Sequence, residues 1–252
     1  VQQFHNQLPD EDLSPATADH YLKLIRHALN LAVDWGHLDR NPAKGIKQFN
    51  ADNRKEHLLT DEELQRLFIA LDNASDRQQT VALAVKFLLF TGARVGEALN
   101  ARWKDIDSKS KNWVVQAENS KSKRRRSIPL NAKALSVLDE LGTQGRSEWL
   151  FTSSRKAKDG SGNNERMKTI NKVWQTLRKE ADLEHIRLHD LRHMYASMLI
   201  NSGHSLYVVQ QALGHSDQSV TTRYTHITQE TLQGAANSVD EYVDKAMKAS
   251  QK

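Results

Sequence analysis

Apolar residues recur every three or four positions through SPATADHYLKLIRHALNLAVDWGHLDRNPA, from Ser14 to Ala43. This spacing predicts a helix with Ser14 as its N-cap and Pro15 in its first turn. Gly36 is suited to the C-terminal cap, because glycine readily adopts the left-handed conformation in which many helices end. Residues 1–48 are too few to bury a comfortable core alone, so we predict the C-terminal part of a larger helical domain.

A polar stretch without a periodic pattern follows, and we interpret residues 49–57 as a linker to a second domain, residues 58–252. That domain begins with the signature of a capping box, Thr60 with Glu63 three residues later. The next predicted helix contains VALAVKFLLF, which is apolar on all sides and should therefore lie at the buried centre of the domain. Gly92 ends this helix, and RVGEALNA begins another short one.

Between Trp103 and Leu130 the pattern changes to short segments rich in Trp, Val and Ile, namely WKDID, NWVVQA and RRSIPL. Polar turns separate these segments, which predicts a small three-stranded antiparallel sheet. Helical spacing then returns, and the fold class is mainly α with this sheet, an α+β arrangement. The further predicted helices are 132–142, 164–182, 189–202, 205–213, 217–226 and an amphipathic C-terminal helix at about 229–247.

Composition narrows the class of protein. With 38% hydrophobic and 27% charged residues, the chain has the balance of a globular protein. No apolar run approaches the ~18 residues of a membrane span, and the polar, acidic first residues lack the pattern of a secretory signal. The chain has no cysteine, which excludes disulfides, thiolate metal sites and a cysteine nucleophile. This composition leads us to expect a cytoplasmic protein that does not contact a membrane.

Positive charge indicates a polyanionic partner. The 36 Lys and Arg residues exceed the 31 Asp and Glu residues, which gives a net charge of +5. Much of the excess lies in KSKRRR, at the turn into the third predicted strand. Such a run is often only a solvated loop, but clustered cations also bind nucleic acid by releasing its counterions. The run contains Lys121, Lys123, Arg124, Arg125 and Arg126.

The segment LHDLRHMYASM places His189 and Arg192 on one face of a predicted helix, because residues three apart are neighbours there. A phosphate would satisfy both side chains, although an arginine paired with a carboxylate is an equal alternative for this pair alone. A zinc site is a third interpretation, since His185, His189 and His193 are spaced four apart. A cation beside the metal, Arg192, and the short Asp190 count against zinc, so we expect no metal.

Two further stretches contribute candidate chemistry. TGARVGEALNARW places Arg94 at a helix N-terminus, which favours anions, and Glu97 three residues later is able to orient its guanidinium. LGHSDQSVTTRYTHI contains one tyrosine. In phosphoryl transfer without a metal, arginines neutralise the phosphate, a lysine protonates the leaving oxygen and a deprotonated tyrosine attacks. The residues that suit this chemistry are Arg94, Lys121, His189, Arg192, His215 and Tyr224.

The sequence resembles the tyrosine recombinases, the lambda-integrase-like site-specific recombinases of phages and mobile elements. Five motifs carry the resemblance, in the order in which the family has them: TGARVGEAL, NSKSKRRRSIPL, LHDLRH, LGHS and TTRYTHI. The match is close from Leu58 to about Ile227. Residues 1–48 look like the last part of the family's helical, SAM-like core-binding domain, which we expect to be truncated and not preceded by an arm-site-binding domain. The resemblance implies the fold of the DNA breaking-rejoining enzymes for residues 58–252.

The resemblance also implies a role for each matching residue. Arg94 and Arg192 would clamp the scissile phosphate. His189 would act as general base or proton acceptor, and His215 would hydrogen-bond the phosphate. Tyr224 would be the nucleophile.

A lysine of the basic run would be the general acid for the 5′-hydroxyl. Lys121 is assigned to this role, with Lys123 as the alternative, because Lys121 lies eight residues before Pro129, the usual spacing in the family. The other cations of the run would contact the DNA backbone, and they are Lys123, Arg124, Arg125 and Arg126.

The implied enzyme cleaves DNA through a 3′-phosphotyrosyl intermediate and needs no metal, ATP or other cofactor. It would integrate or excise a mobile element. Its partners would be double-stranded recombination sites, where a protein that is monomeric alone assembles as a homotetramer, together with accessory DNA-bending proteins. A type IB topoisomerase-like activity and a DNA-binding module without catalysis are the alternatives.

Overall fold

The computed structural model describes residues 1–11, 13–50, 58–120, 123–153 and 165–214. The chain separates into two compact units, Val1–Lys55 and Glu56–Lys252. Helices dominate, and the strands of the described residues form one three-stranded antiparallel sheet, so the predicted fold class is confirmed. None of the helices in these ranges is long and apolar enough to cross a membrane.

The first unit is built around a long helix. α1 is Gln2–Gln7 and α2 is Pro15–Asp34. The Ser14 hydroxyl accepts a hydrogen bond from the backbone N–H of Thr17, as expected of an N-cap. α1 was not predicted, because its short polar sequence has no helical period. The helix and the Ser14 cap, which local sequence signals predicted, are therefore both present.

A buried contact between a histidine and a carboxylate holds the end of this unit. The Nε2 atom of His5 lies 3.0 Å from a carboxylate oxygen of Asp19. The same carboxylate accepts hydrogen bonds from the backbone N–H groups of Phe49 and Asn50, both at 2.9 Å. Phe49 and Asn50, which we had interpreted as the start of the linker, are thus hydrogen-bonded to the first unit.

The second unit is organised around one central helix, α4 (Asp76–Thr91). From Val81 to Thr91 none of its residues is exposed, and Val85 and Phe87, which point in different directions, are both buried. The other helices of the described residues in this unit are α3 (Asp61–Asp72), α5 (Val95–Leu99), α6 (Ala132–Leu141), α7 (Asn171–Glu180), α8 (Leu188–Asn201) and α9 (Leu206–Leu213). α4 packs against α3, α6, α7 and α8. The predicted capping box at Thr60 and Glu63 is present at the start of α3.

The sheet lies against α4. Its strands β1 (Ile106–Asp107), β2 (Asn112–Val115) and β3 (Arg126–Pro129) pair in that order. Trp113 of β2 is opposite Ile128 of β3. Both side chains are buried, and the Trp113 ring lies 5.3 Å from that of Phe87. The first strand is shorter than predicted, because Trp103–Asp105 forms a 3₁₀ turn.

The predicted helix 164–182 is too long. α7 begins only at Asn171, because the residues before it are extended. The Ser153 backbone N–H donates to the Glu165 carbonyl at 2.9 Å, and the Met167 N–H donates to the Phe151 carbonyl at 3.0 Å. The predicted helices 217–226 and 229–247 lie outside the described residues.

Candidate active site

A single glycine joins the motifs TGARVGEAL and LHDLRH. Gly92 ends α4 with a left-handed φ of 61°, and its carbonyl accepts a hydrogen bond from Nη1 of Arg192 at 2.6 Å. A Cβ atom at this position would overlap the ring of Tyr195 on α8. Only glycine therefore permits both the turn and the close approach of α8. The segment that carries Arg94 is fixed in this way against the helix that carries His189 and Arg192.

Glu97 is the buried centre of an arginine network. Its side chain is 1% exposed, and its Oε1 accepts a hydrogen bond from Nη1 of Arg94 at 2.9 Å. Its Oε2 accepts from Nη2 of Arg126 at 2.7 Å and from the Arg94 backbone N–H at 2.9 Å. Burial opposes ionisation of Glu97, but the charge of Arg126 and the hydrogen bonds from both arginines outweigh it and lower the pKa. Glu97 therefore stays ionised and orients Arg94.

The basic run divides into an outer and an inner part. Lys123, Arg124 and Arg125 are exposed at the turn before β3. Arg126 points inward instead, with its side chain 11% exposed, and its Nη1 donates to the Ala212 carbonyl at 3.1 Å. We predicted a DNA contact for Arg126 together with its neighbours, but the guanidinium is engaged within the protein.

Arg192 connects the ends of two helices. It is 2% exposed, and besides the bond to Gly92 its Nη2 donates to the Leu213 carbonyl at 2.6 Å. Leu213 is the last residue of α9, and Gly214 caps the helix with a φ of 64°. A phosphate would have to meet N–H groups of Arg192 other than the two that contact these carbonyls. The arginine thus has a structural task in addition to the predicted one.

His189 lies in the first turn of α8 with its side chain accessible to solvent. Partial desolvation of the ring lowers its pKa, and the charges of Arg192 and Arg94 lower it further, against the opposing effect of Asp190. The ring packs edge to face against His193, with 4.7 Å between the centroids. Burial, followed by the effect of His189, lowers the pKa of His193 to about 4. Both imidazoles are therefore neutral at neutral pH, and a neutral His189 is able to accept a proton.

Of the residues of the zinc interpretation, His189 and His193 are in contact, whereas His185 and Asp190 have other partners. His185 precedes α8, and its Nε2 lies 3.4 Å from Oε1 of Glu63. Asp190 is buried and accepts a hydrogen bond from Nη2 of Arg187 at 2.8 Å. Within the described ranges there is no group of three or more His, Asp or Glu side chains that is able to hold a metal ion.

The described residues therefore bring together half of the predicted catalytic set. Arg94, His189 and Arg192 meet where the end of α4 contacts α8, and Glu97 and Gly92 hold them there. The other half of the set lies outside the described residues, namely Lys121, His215 and Tyr224.

Sequence reasoning missed the inward direction of Arg126, although a signal for it exists. Side chains two apart on a strand share a face, and Ile128 on the same strand is buried. The apolar residue at position 128 therefore predicts that the arginine at position 126 also faces the protein.

The family model described as the phage integrase family matches residues 57–231. The chain belongs to the phage integrase family. Among the relatives of this integrase-family chain is the integrase of Salmonella phage P22, 29% identical over 89% of the chain and 57% of that protein. Another is the tyrosine recombinase XerC of Oceanobacillus iheyensis, 28% identical over 93% of the chain and 78% of that protein. The chain spans little more than half the length of the phage P22 integrase.

Solved structures of recombinases have the same fold. A dimer of lambda integrase residues 75–356 bound to a COC′ core site gives a TM-score of 0.69 at 20% identity, covering 89% of this chain and 78% of that one. The XerH recombinase bound to a palindromic difH substrate gives 0.69 at 22% identity, covering 93% and 70%. These likenesses confirm the predicted catalytic fold of the integrase-family chain.

Proposed function

We propose that this chain cleaves and rejoins double-stranded DNA at a specific site through a 3′-phosphotyrosyl intermediate, for the integration or excision of a mobile element. The observation that carries the proposal is the hydrogen bond from Arg192 to the Gly92 carbonyl, at 2.6 Å. It joins two arginines and a neutral histidine from distant parts of the chain at one place. Such a group fits a phosphodiester, whose oxygens gain negative charge in the transition state.

In the proposed first step, the Tyr224 oxygen attacks the scissile phosphorus. A phosphotyrosyl bond forms and the bond from phosphorus to the 5′ oxygen breaks. His189 accepts the proton of the tyrosine, and its lowered pKa keeps the resting imidazole neutral so that it has a free nitrogen lone pair for this step. Lys121 gives a proton to the departing 5′ oxygen, and Arg94, Arg192 and His215 bind the other phosphate oxygens.

A 5′-hydroxyl from a partner strand reverses this step and rejoins the DNA. The phosphotyrosyl bond retains the energy of the phosphodiester, so the reaction needs no ATP, and no step requires a metal. Exchange of strands needs two cleaved duplexes at once, for which we propose four protomers on two DNA sites, a monomer in the absence of DNA, and accessory proteins that bend the DNA. The exposed Lys123, Arg124 and Arg125 would bind the DNA backbone.

The substitution Tyr224→Phe tests the proposal. A nicked suicide substrate, whose 5′-hydroxyl fragment diffuses away after cleavage, traps the covalent product. We expect the unaltered protein to form a protein–DNA adduct that resists SDS, and Tyr224→Phe, which lacks only the attacking oxygen, to form none. The measurement is the shifted band on a denaturing gel, in buffer that contains a chelator of divalent metals.

The control for this experiment is DNA affinity, which Tyr224→Phe should leave nearly unchanged. An adduct formed by the Phe variant would contradict the assignment of the nucleophile. A protein that binds DNA without forming an adduct would be a binding module, and an adduct that requires a divalent metal would contradict the metal-free mechanism.

Arg125→Ala is expected to weaken DNA binding with a smaller dependence on salt. Each phosphate contact that is lost reduces the magnitude of the negative slope of log affinity against log salt concentration by about 0.9. Electrophoretic mobility shifts at several salt concentrations measure the slope. The matched control is Arg77→Ala, which removes an exposed arginine from the first turn of α4. Equal slopes for the two variants would mean that Arg125 lies on a solvated loop.

A further inference from the structure

We propose that Arg126 is a positioning residue for strand cleavage, which holds Glu97, and through it Arg94, against the end of α9. The proposal rests on the proposed function. Arg126 itself would not touch the phosphate, since its guanidinium is already engaged by protein atoms on two sides.

The first side is Glu97. Each of its two carboxylate oxygens receives a different guanidinium, Arg94 on Oε1 and Arg126 on Oε2. A carboxylate held at both oxygens has one orientation, and the Arg94 guanidinium takes its position from that orientation. Without Arg126 only the Arg94 backbone N–H would remain on Oε2, and the carboxylate would be held less firmly about its last torsion, which is broad in energy. Arg94 would then lose its fixed position although its own residue is unaltered.

The second side is the end of α9. Arg126 donates to the Ala212 carbonyl, and Arg192 donates to the next carbonyl along the chain, that of Leu213. Gly214 rests on the stem of Arg126 so closely that a Cβ atom there would overlap Cδ of the arginine. The point from which the chain continues to His215 is thus held by Arg126 and by Arg192, one of the proposed phosphate ligands.

Burial separates Arg126 from the DNA-binding function of its neighbours. A buried guanidinium is costly to desolvate, and only a close partner such as Glu97 offsets that cost. With 11% of its side chain exposed, Arg126 offers little charge to a DNA backbone. Its removal should therefore change the rate of cleavage by bound protein, whereas removal of Arg125 should change the affinity for DNA.

The test is Arg126→Met, which keeps an unbranched stem and removes the charge and the donors. At saturating suicide substrate we expect a single-turnover cleavage rate about 10²-fold below that of the unaltered protein, as for a small displacement of a reacting group. The matched control is Arg77→Met, which also removes one arginine charge. Arg77 is exposed at the far end of α4, roughly 22 Å from Gly92 along the helix. The control should cleave at the unaltered rate.

A second substrate distinguishes positioning of Arg94 from general damage to the fold. A methylphosphonate at the scissile position lacks the negative charge that Arg94 would neutralise, so the position of Arg94 should matter less there. We expect the defect of Arg126→Met to shrink to roughly threefold on this substrate. A defect of equal size on both substrates, or a variant as fast as the unaltered protein, would overturn the proposal.

Adduct formation by the unaltered protein shows whether a failure concerns the proposed function or only the role of Arg126. If it forms no adduct with either substrate, the proposed function fails. If it forms an adduct and Arg126→Met cleaves at the same rate, the proposed function stands and the role of Arg126 is refuted.

Discussion

Replacement of Lys121 by alanine is expected to slow strand cleavage by about 10²–10⁴-fold, because a well-placed general acid contributes that much to a rate. The affinity for DNA should change little, since the other cations of the basic run KSKRRR remain. Quench-flow or manual sampling of adduct formation on a suicide substrate measures the rate. A substrate with sulfur in place of the bridging 5′ oxygen should restore it, because a thiolate leaves without a proton.

Lys123→Ala is the matched control for this prediction. Lys123 is exposed just before β3 and was the alternative for the general acid. If Lys121 is the acid, Lys123→Ala should cleave at nearly the unaltered rate. A rate loss in Lys123→Ala that the sulfur substrate rescues would transfer the role to Lys123, and a Lys121→Ala defect that sulfur does not rescue would refute the role for Lys121.

Glu97→Gln is expected to destabilise the fold by about 3 kcal/mol, because removal of one partner leaves a buried charge without compensation. Arg126, 11% exposed, would lose its counter-charge, and the partly exposed Arg94 would lose its orientation. Unfolding in urea at pH 7 measures the difference. Cleavage should also slow, since Arg94 would no longer be held.

The pH dependence of this difference tests its electrostatic origin. The pKa of Glu97 is lower in the folded than in the unfolded protein, so its contribution to stability is present above the unfolded pKa, about 4.3. The contribution is lost as the pH falls through the folded pKa. The gap between Glu97→Gln and the unaltered protein should therefore narrow below about pH 4. Glu184→Gln, an exposed substitution, should show no gap at either pH.

Much of the fold was predictable because its signals are local. The capping box at Thr60 and Glu63 and the glycine that ends α4 depend on residues within a few positions of each other. The early start predicted for α7 failed because the extended pairing of Glu165 and Met167 with Ser153 and Phe151 has no local signature. The short α1 likewise depends on a contact between His5 and Asp19 that only the folded chain provides.

The candidate site likewise has features that the local sequence predicts and features that depend on long-range contacts. Residue type and spacing predicted Arg94, His189 and Arg192 as site residues. The sequence could not predict that Arg192 contacts the carbonyls of Gly92 and Leu213. Every residue has a backbone carbonyl, so residue type does not indicate which carbonyls an arginine will contact. The long-range contacts of Arg126 escaped prediction for the same reason, since they join positions far apart in the chain.

The two guanidinium groups on Glu97 have a consequence for how the protein is able to evolve. One carboxylate faces two positive charges there, and Arg192 and Arg94 also act on His189, so the free site has more positive than negative charge. Such mutual repulsion lowers the stability of the unliganded chain, and a bound anion relieves it. Substitutions that stabilise the free protein by removing one of these positive charges would lower its affinity for a phosphate. Selection for stability and selection for activity therefore oppose each other at this place.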